Sequence, residues 1–276
     1  MRNLVCGVMV MLMAGGAHGA AQKLLLTQVV VAPSQAEYIA IFNPGVTVVD
    51  LTNYYLADYE TYYQTVNSIS PANSSDFVAR FPNGATIAPG ETQYVSIGGG
   101  ECFRSACGSL GAFTGFGVYP NYEIPSATSS FNSASVPDML APFASAIGST
   151  HNLTNGGEPV VLFYWDGVSA LVTDVDYAFY GTPGAGNPPV NKTGVIVNGF
   201  AYQADTADSA TTHAALITGT IATYTCRRDF AETGQTASGG NGVNGADETS
   251  EPTSTTWGAC RFALAPDRLF ADDFEG

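Results

Sequence analysis

Carboxylates at short spacing are the groups of this chain with the clearest chemical potential. The stretch "GGNGVNGADETSE" (239–251) sets spaced glycines before Asp247, Glu248 and Glu251. Three carboxylates in one loop supply the hard oxygen ligands that calcium takes. The stretch lacks the alternating ligands and the glutamate at position twelve of a helix-loop-helix calcium loop. It has the glycines of one repeat of the calcium-binding β-helix, but Asn244 stands where that repeat carries aspartate, and a single repeat cannot stack. The expectation is a solvated, flexible connection, with an ordinary loop calcium site as the alternative. Asp174 and Asp176 flank Val175 in "VTDVDYAFYG". Alternate residues of a strand share a face, which puts both carboxylates on the solvent side, either to hold a cation or as a plain polar face.

Other chemistry is thinner. The chain contains no nucleophile elbow, no zinc-protease helix and no phosphate loop, so no residue is assigned a catalytic role and no cofactor beyond calcium is expected. His151 and His213 each lie in a Ser/Thr-rich loop, where a surface position is the plainer reading. A carboxylate pair for glycoside hydrolysis is positioned by the fold rather than by spacing, which keeps a hydrolase with its site in an inserted loop as an alternative. Tyr54, Tyr55, Tyr59, Tyr62 and Tyr63 crowd one strand and loop. Exposed, they would form a platform for sugar or protein; alternation would instead send about half of them inward.

The elements that must position these groups begin with an address. Arg2, the apolar run "LVCGVMVMLMAGG" and the small residues of "AHGAA" form an export signal over residues 1–21, with cleavage expected after Gly19. The run is shorter than the about 20 apolar residues that span a bilayer, and no later run is long enough. The expected location is secreted, extracellular or cell-surface, with the periplasm also compatible. Cys102, Cys107, Cys226 and Cys260 then read as disulfides. The pairs Cys102–Cys107 and Cys226–Cys260 are favoured because each closes a segment poor in apolar residues; zinc spacing is missing. Nine Lys and Arg against 24 Asp and Glu leave a net charge of -15, which repels phosphate-rich partners, so nucleic acid is not an expected ligand.

Short runs rich in Val, Ile, Tyr, Phe and Thr recur between Gly, Pro, Asn and Asp: "KLLLTQVVV", "EYIAIFNPG", "VTVVDLTNYYLADYE", "FVARF", "TQYVSIG", "GEPVVLFYWDG", "ALVTDVDYAFYG" and "TIATYTC". They predict an all-β, antiparallel sandwich. In the second run apolar groups occupy both faces, as expected of a central strand. The domain is expected over 22–262. Within it lie a loop insert at about 99–150, with one short helix over 137–148, and a polar excursion at about 227–257. A tail follows at 263–276.

In order, "LLLTQVVVAPSQAEYIAIFNPG", "VVDLTNYYLAD", "FPNGATIAPGETQYVSIG" and "NGGEPVVLFYWDG" with "VTDVDYAFYG" resemble the lamin tail domain family. The resemblance implies an immunoglobulin-like sandwich with long loop insertions. Ala40 departs from it, standing where many members carry an acidic residue. The resemblance and the missing motifs together point to an exported, non-catalytic binding or surface-structural protein with a protein or carbohydrate ligand. Besides the hydrolase, the other alternative is an accessory role in extracellular nucleic-acid processing, since relatives of this domain can accompany nucleases.

Overall fold

The computed structural model describes residues 20–107, 114–217 and 223–261. Residues 1–19, nearly all of the expected export signal, and 262–276, which hold the expected tail, lie outside the described residues. β-Branched and aromatic runs form the strands, and Gly, Pro and Asn break them. β1 (Leu25–Val30), β2 (Tyr38–Phe42), β3 (Val49–Asp50), β4 (Tyr54–Ala57), β5 (Val78–Arg80), β6 (Thr86–Ile87) and β7 (Thr92–Ser96) come first. A short helix α1 (Gly100–Ser105) precedes β8 (Tyr122–Glu123), β9 (Gly157–Tyr164) and β10 (Thr173–Gly181). The small hairpin of β11 (Ile196–Val197) and β12 (Phe200–Ala201) leads to β13 (His213–Ala214) and β14 (Thr223–Arg227). A one-turn helix α2 (Thr253–Thr256) runs into β15 (Trp257–Arg261).

One sheet has the order β15-β14-β1-β2-β7-β8 and the other β13-β10-β9-β4-β5. The protein is an all-β, immunoglobulin-like sandwich. Among the described strands the pairing is antiparallel except at two edges, where β8 joins β7 and β13 joins β10 in parallel. Both edge strands arrive after long connections, which is the route parallel pairing requires. Leu26, Ile39, Ile41 and Val95 of the first sheet meet Leu56, Val160, Leu162 and Ala178 of the second in the central core.

Both outer faces are also covered. Tyr38, Ala40 and Tyr94 pack under Phe103 of α1 and Phe116, which is why β2 is apolar on both sides. An acidic side chain in place of Ala40 would be buried against these rings. Glu123 pins the insert in place, accepting the backbone N–H groups of Gly100 and Ser133. On the other sheet Tyr55, Val161, Phe163, Tyr177 and Phe179 lie beneath residues 59–66 and 190–202.

Two expectations are corrected here. Residues 137–148 form no helix; they run along β5 through antiparallel bridges Arg80↔Leu140 and Phe77↔Ile147. Pro142, in the interior of that stretch, denies a helix a backbone donor and clashes with the preceding turn. Residues 239–251 are packed rather than flexible. A Cβ on Gly240 would stand 2.4 Å from the Ala246 carbonyl oxygen, so these glycines permit close backbone approach.

Candidate functional site

β10 carries a bulge that decides where the acidic chemistry lies. Asp174 stands opposite Phe163 of β9, and Asp176 stands opposite Leu162, leaving Val175 as the extra residue. Phe163 belongs to the outer cluster and Leu162 to the central core. The two carboxylates therefore point to opposite faces, and at 2% and 0% exposure neither meets solvent. The expected shared solvent face does not exist, because the extra residue inverts the alternation.

Between the sheets, Asp176 accepts from the Leu26 N–H at 2.5 Å and from Arg227 Nη2, which donates to Oδ2 at 2.7 Å and to Oδ1 at 2.9 Å. Arg227 also donates to Glu251 at 2.7 and 3.1 Å, and to the Leu26 carbonyl at 2.8 Å. Lys23 joins the cluster through Glu248 at 2.7 Å and Glu232 at 2.9 Å. Oxygens of Asp176, Glu232 and Glu248 lie within 4.8 Å of one another, a spacing that could suit a metal ion. The Lys23 ammonium already stands among them, so the cluster holds its own cations. Four carboxylates against two cations favour keeping a proton. Burial, opposed by Lys23 and reinforced by Asp176, pushes Glu248 up to about 8. Burial, opposed by Arg227, pushes Glu251 up to about 7.

The three carboxylates named for the alternative loop calcium site, Asp247, Glu248 and Glu251, engage different partners. Glu248 and Glu251 turn into the fold, while Asp247 turns aside to accept from Thr206 and Thr249 hydroxyls at 2.6 and 2.7 Å. None of the three is solvated, since Asp247, Glu248 and Glu251 are all buried, at 7%, 2% and 1% exposure.

On the outer face, Asp174 meets Lys192. The Lys192 Nζ donates to Asp174 Oδ2 at 2.6 Å and to the Tyr62 hydroxyl at 2.8 Å, and stands 3.4 Å from Asp205 Oδ2. The Tyr62 hydroxyl donates to Asp174 Oδ1. Tyr62 thus lines a charged pocket rather than a ligand platform. All five tyrosines of the candidate platform, Tyr54, Tyr55, Tyr59, Tyr62 and Tyr63, are buried, at 1–7% exposure. On β4, Tyr54 points into the central core and Tyr55 lies under the covered outer face, and a 3-10 turn over Tyr62–Asn67 folds Tyr62 and Tyr63 onto the sheet.

A third group has no cation beside it among the described residues. Glu37 accepts the Leu153 N–H, Asp58 the Phe77 N–H, and Glu158 both the Thr154 N–H and the Tyr180 hydroxyl. Glu37 Oε1 and Asp58 Oδ2 lack a hydrogen-bond partner. Burial raises all three carboxyls, Glu158 to about 7. His213 lines an open groove of about 760 Å³ and pairs with Asp208 at 2.5 Å. Ser254 shares the groove, but its hydroxyl donates to the Thr211 carbonyl, away from any relay through the histidine. His151 bonds the Gly148 carbonyl. The cysteines pair as expected, with Cα–Cα distances of 4.7 Å for Cys102–Cys107 and 5.9 Å for Cys226–Cys260.

The model of the family described as Lamin Tail Domain matches residues 18–177, more than half of the chain. This protein belongs to the lamin tail domain family. A crystal structure of a DUF4876 family protein from Bacteroides thetaiotaomicron VPI-5482 is similar at 12% identity and a TM-score of 0.49, over 86% of this chain and 70% of that one. No curated protein matches the chain.

The lamin tail match ends inside β10, just past both aspartates. It includes Lys23, Tyr62, Asp174 and Asp176, while Lys192, Asp205, Arg227, Glu232, Glu248 and Glu251 come from beyond it. The two ion clusters therefore join the lamin tail stretch to the chain that follows. Sequence reasoning passed over Lys192, Arg227 and Lys23. A usable signal was their scarcity: where 9 basic residues face 24 acidic ones, a lone cation between apolar runs is a candidate internal counter-ion.

Proposed function

We propose that this protein is an exported, non-catalytic member of the lamin tail domain family that serves as a binding or surface-structural module. The observation that carries this reading is that the deeply buried ionisable groups are held in the two ion clusters or by backbone N–H groups instead of converging on the open groove. Lamin tail domains are an immunoglobulin-like, non-catalytic family, which supports it. The two disulfides suit an oxidising compartment, and no helix among the described residues is long and apolar enough to cross a membrane. The export signal over 1–21 and a tail over 263–276, of which residues 268–276 are dispensable for folding, are parts of the same proposal.

With the tyrosines buried, the β11–β12 hairpin offers the better contact surface. Ile196 and Phe200 are 68% and 59% exposed there, an unusual display for large apolar groups on so short a hairpin. A protein or carbohydrate ligand fits such a surface.

The test uses purified exported protein. Retention on intact cells, cell-wall polysaccharide and surface-protein extracts is compared for wild type and Phe200→Ser, with ester, glycoside and phosphodiester hydrolysis assayed in parallel. Retention that falls at least several-fold in the variant, without turnover, supports the module. Hydrolysis abolished by His213→Ala would instead favour the hydrolase reading.

A further inference from the structure

Lys192 is 0% exposed and sits in the connection between β10 and β11. Its Nζ lies 5.2 Å from the centre of the Tyr62 ring and 5.8 Å from that of Tyr202, so aromatic walls keep water from the amine. Against it are the Asp174 carboxylate at 2.6 Å and a second carboxylate, Asp205, at 3.4 Å. Asp205 is itself held by the Lys192 N–H at 2.7 Å and the Asn241 amide at 2.9 Å. A desolvated amine, a carboxyl in contact with it and an acid–base group beside both are the components of an amide condensation.

We propose that Lys192 and Asp174 become joined by an intramolecular isopeptide bond, with Asp205 carrying the protons. Asp205 takes a proton from the Lys192 ammonium, and the freed Nζ attacks Asp174 Cγ. The new C–N bond puts charge on Oδ1, where the Tyr62 hydroxyl donates a hydrogen bond. Asp205 delivers the two protons lost by the nitrogen to Oδ2, one after the other. The Cγ–Oδ2 bond breaks, one water leaves, and Asp205 is restored. Nothing is oxidised or reduced, and no outside reactant enters.

The surroundings assist each step. Burial pushes the Asp205 carboxyl above its ordinary range, which suits a group that must hold a proton in passing. Burial pulls the Lys192 ammonium down, but Asp174 and Asp205 outweigh it and hold the proton on, so the amine is freed by transfer inside the cluster. Fixed contact between the reacting groups is worth effective concentrations of about 10⁵–10⁸ M. The product would tie β10 to the connection before β11 and close the loop between residues 174 and 192. It depends on no ligand and holds whether or not the module reading does.

Intact mass of the reduced, denatured, exported chain tests it. The expected mass is one water below that of the processed sequence, with a branched peptide linking Asp174 to Lys192 after digestion. Lys192→Arg should have the full unbranched mass. Asp205→Asn retains hydrogen-bonding capacity but cannot relay the proton, and it should also remain unlinked. An unlinked wild type, or water lost at another position, overturns the bond. An Asp205→Asn chain that still cross-links overturns the role of Asp205.

Discussion

Asp174 and Asp176 lie two residues apart in β10, yet their carboxylates serve opposite faces of the sheet. One faces Lys192 beneath the outer connection, and the other faces Arg227 in the space between the sheets. A single strand thus anchors two ion clusters, each completed by chain from beyond the lamin tail match.

Asp176→Ala should be among the most damaging substitutions. It leaves the Leu26 N–H without its acceptor and Arg227 buried with one carboxylate fewer. Breaking one side of a buried pair costs about 3–5 kcal/mol. Urea denaturation should show a loss of that order, and a loss under about 1 kcal/mol would mean the cluster is not a structural anchor.

The disulfides should differ in weight. Cys226–Cys260 closes a separation of 34 residues and Cys102–Cys107 one of 5. The chain-entropy argument gives about 4 kcal/mol for the longer loop and about 2 kcal/mol for the shorter. Paired Cys→Ser variants compared by denaturation should keep that order, and peptide mapping of secreted protein should find no free thiol.

Stability should fall as pH rises from mildly acidic to mildly alkaline. Burial lifts the carboxyls of Glu37, Asp58 and Glu158, so the folded chain retains protons that the unfolded chain releases. For Glu158 the stabilisation is full below its ordinary value of 4.5 and is lost as pH rises through about 7. A shift of that size is worth on the order of 3 kcal/mol. The melting temperature should be higher at pH 5.5 than at pH 8, and Glu158→Gln should flatten the dependence. An opposite slope would refute the protonated state.

Chelation should leave the melting temperature within about 1 °C, because a bound ion would otherwise contribute through linkage. Lys23 and Arg227 already pair with Glu248 and Glu251, two of the carboxylates that calcium would use. A large drop on adding chelator, rescued by calcium and removed in Glu251→Gln, would restore the metal reading.

The fold was legible because strand runs, turn residues and family motifs are local signals. "EYIAIFNPG" shows two apolar faces from its letters alone, and β2 is central. The cysteine pairing was also readable, since each pair brackets a stretch with little else to hold it. The acidic sites were not. One extra residue at Val175 inverts the alternation that had placed Asp174 and Asp176 together, and nothing in the sequence marks a bulge.

What the sequence determined by itself is the architecture: β-sandwich, family, charge balance and cysteine number follow from residue type and short-range order. What only the tertiary structure decided is which charges meet. Lys23 and Glu248 are 225 residues apart, and Arg227 and Asp176 are 51 apart. The energy of a charge depends on its burial and on partners brought together by sheet packing, quantities that no local pattern contains.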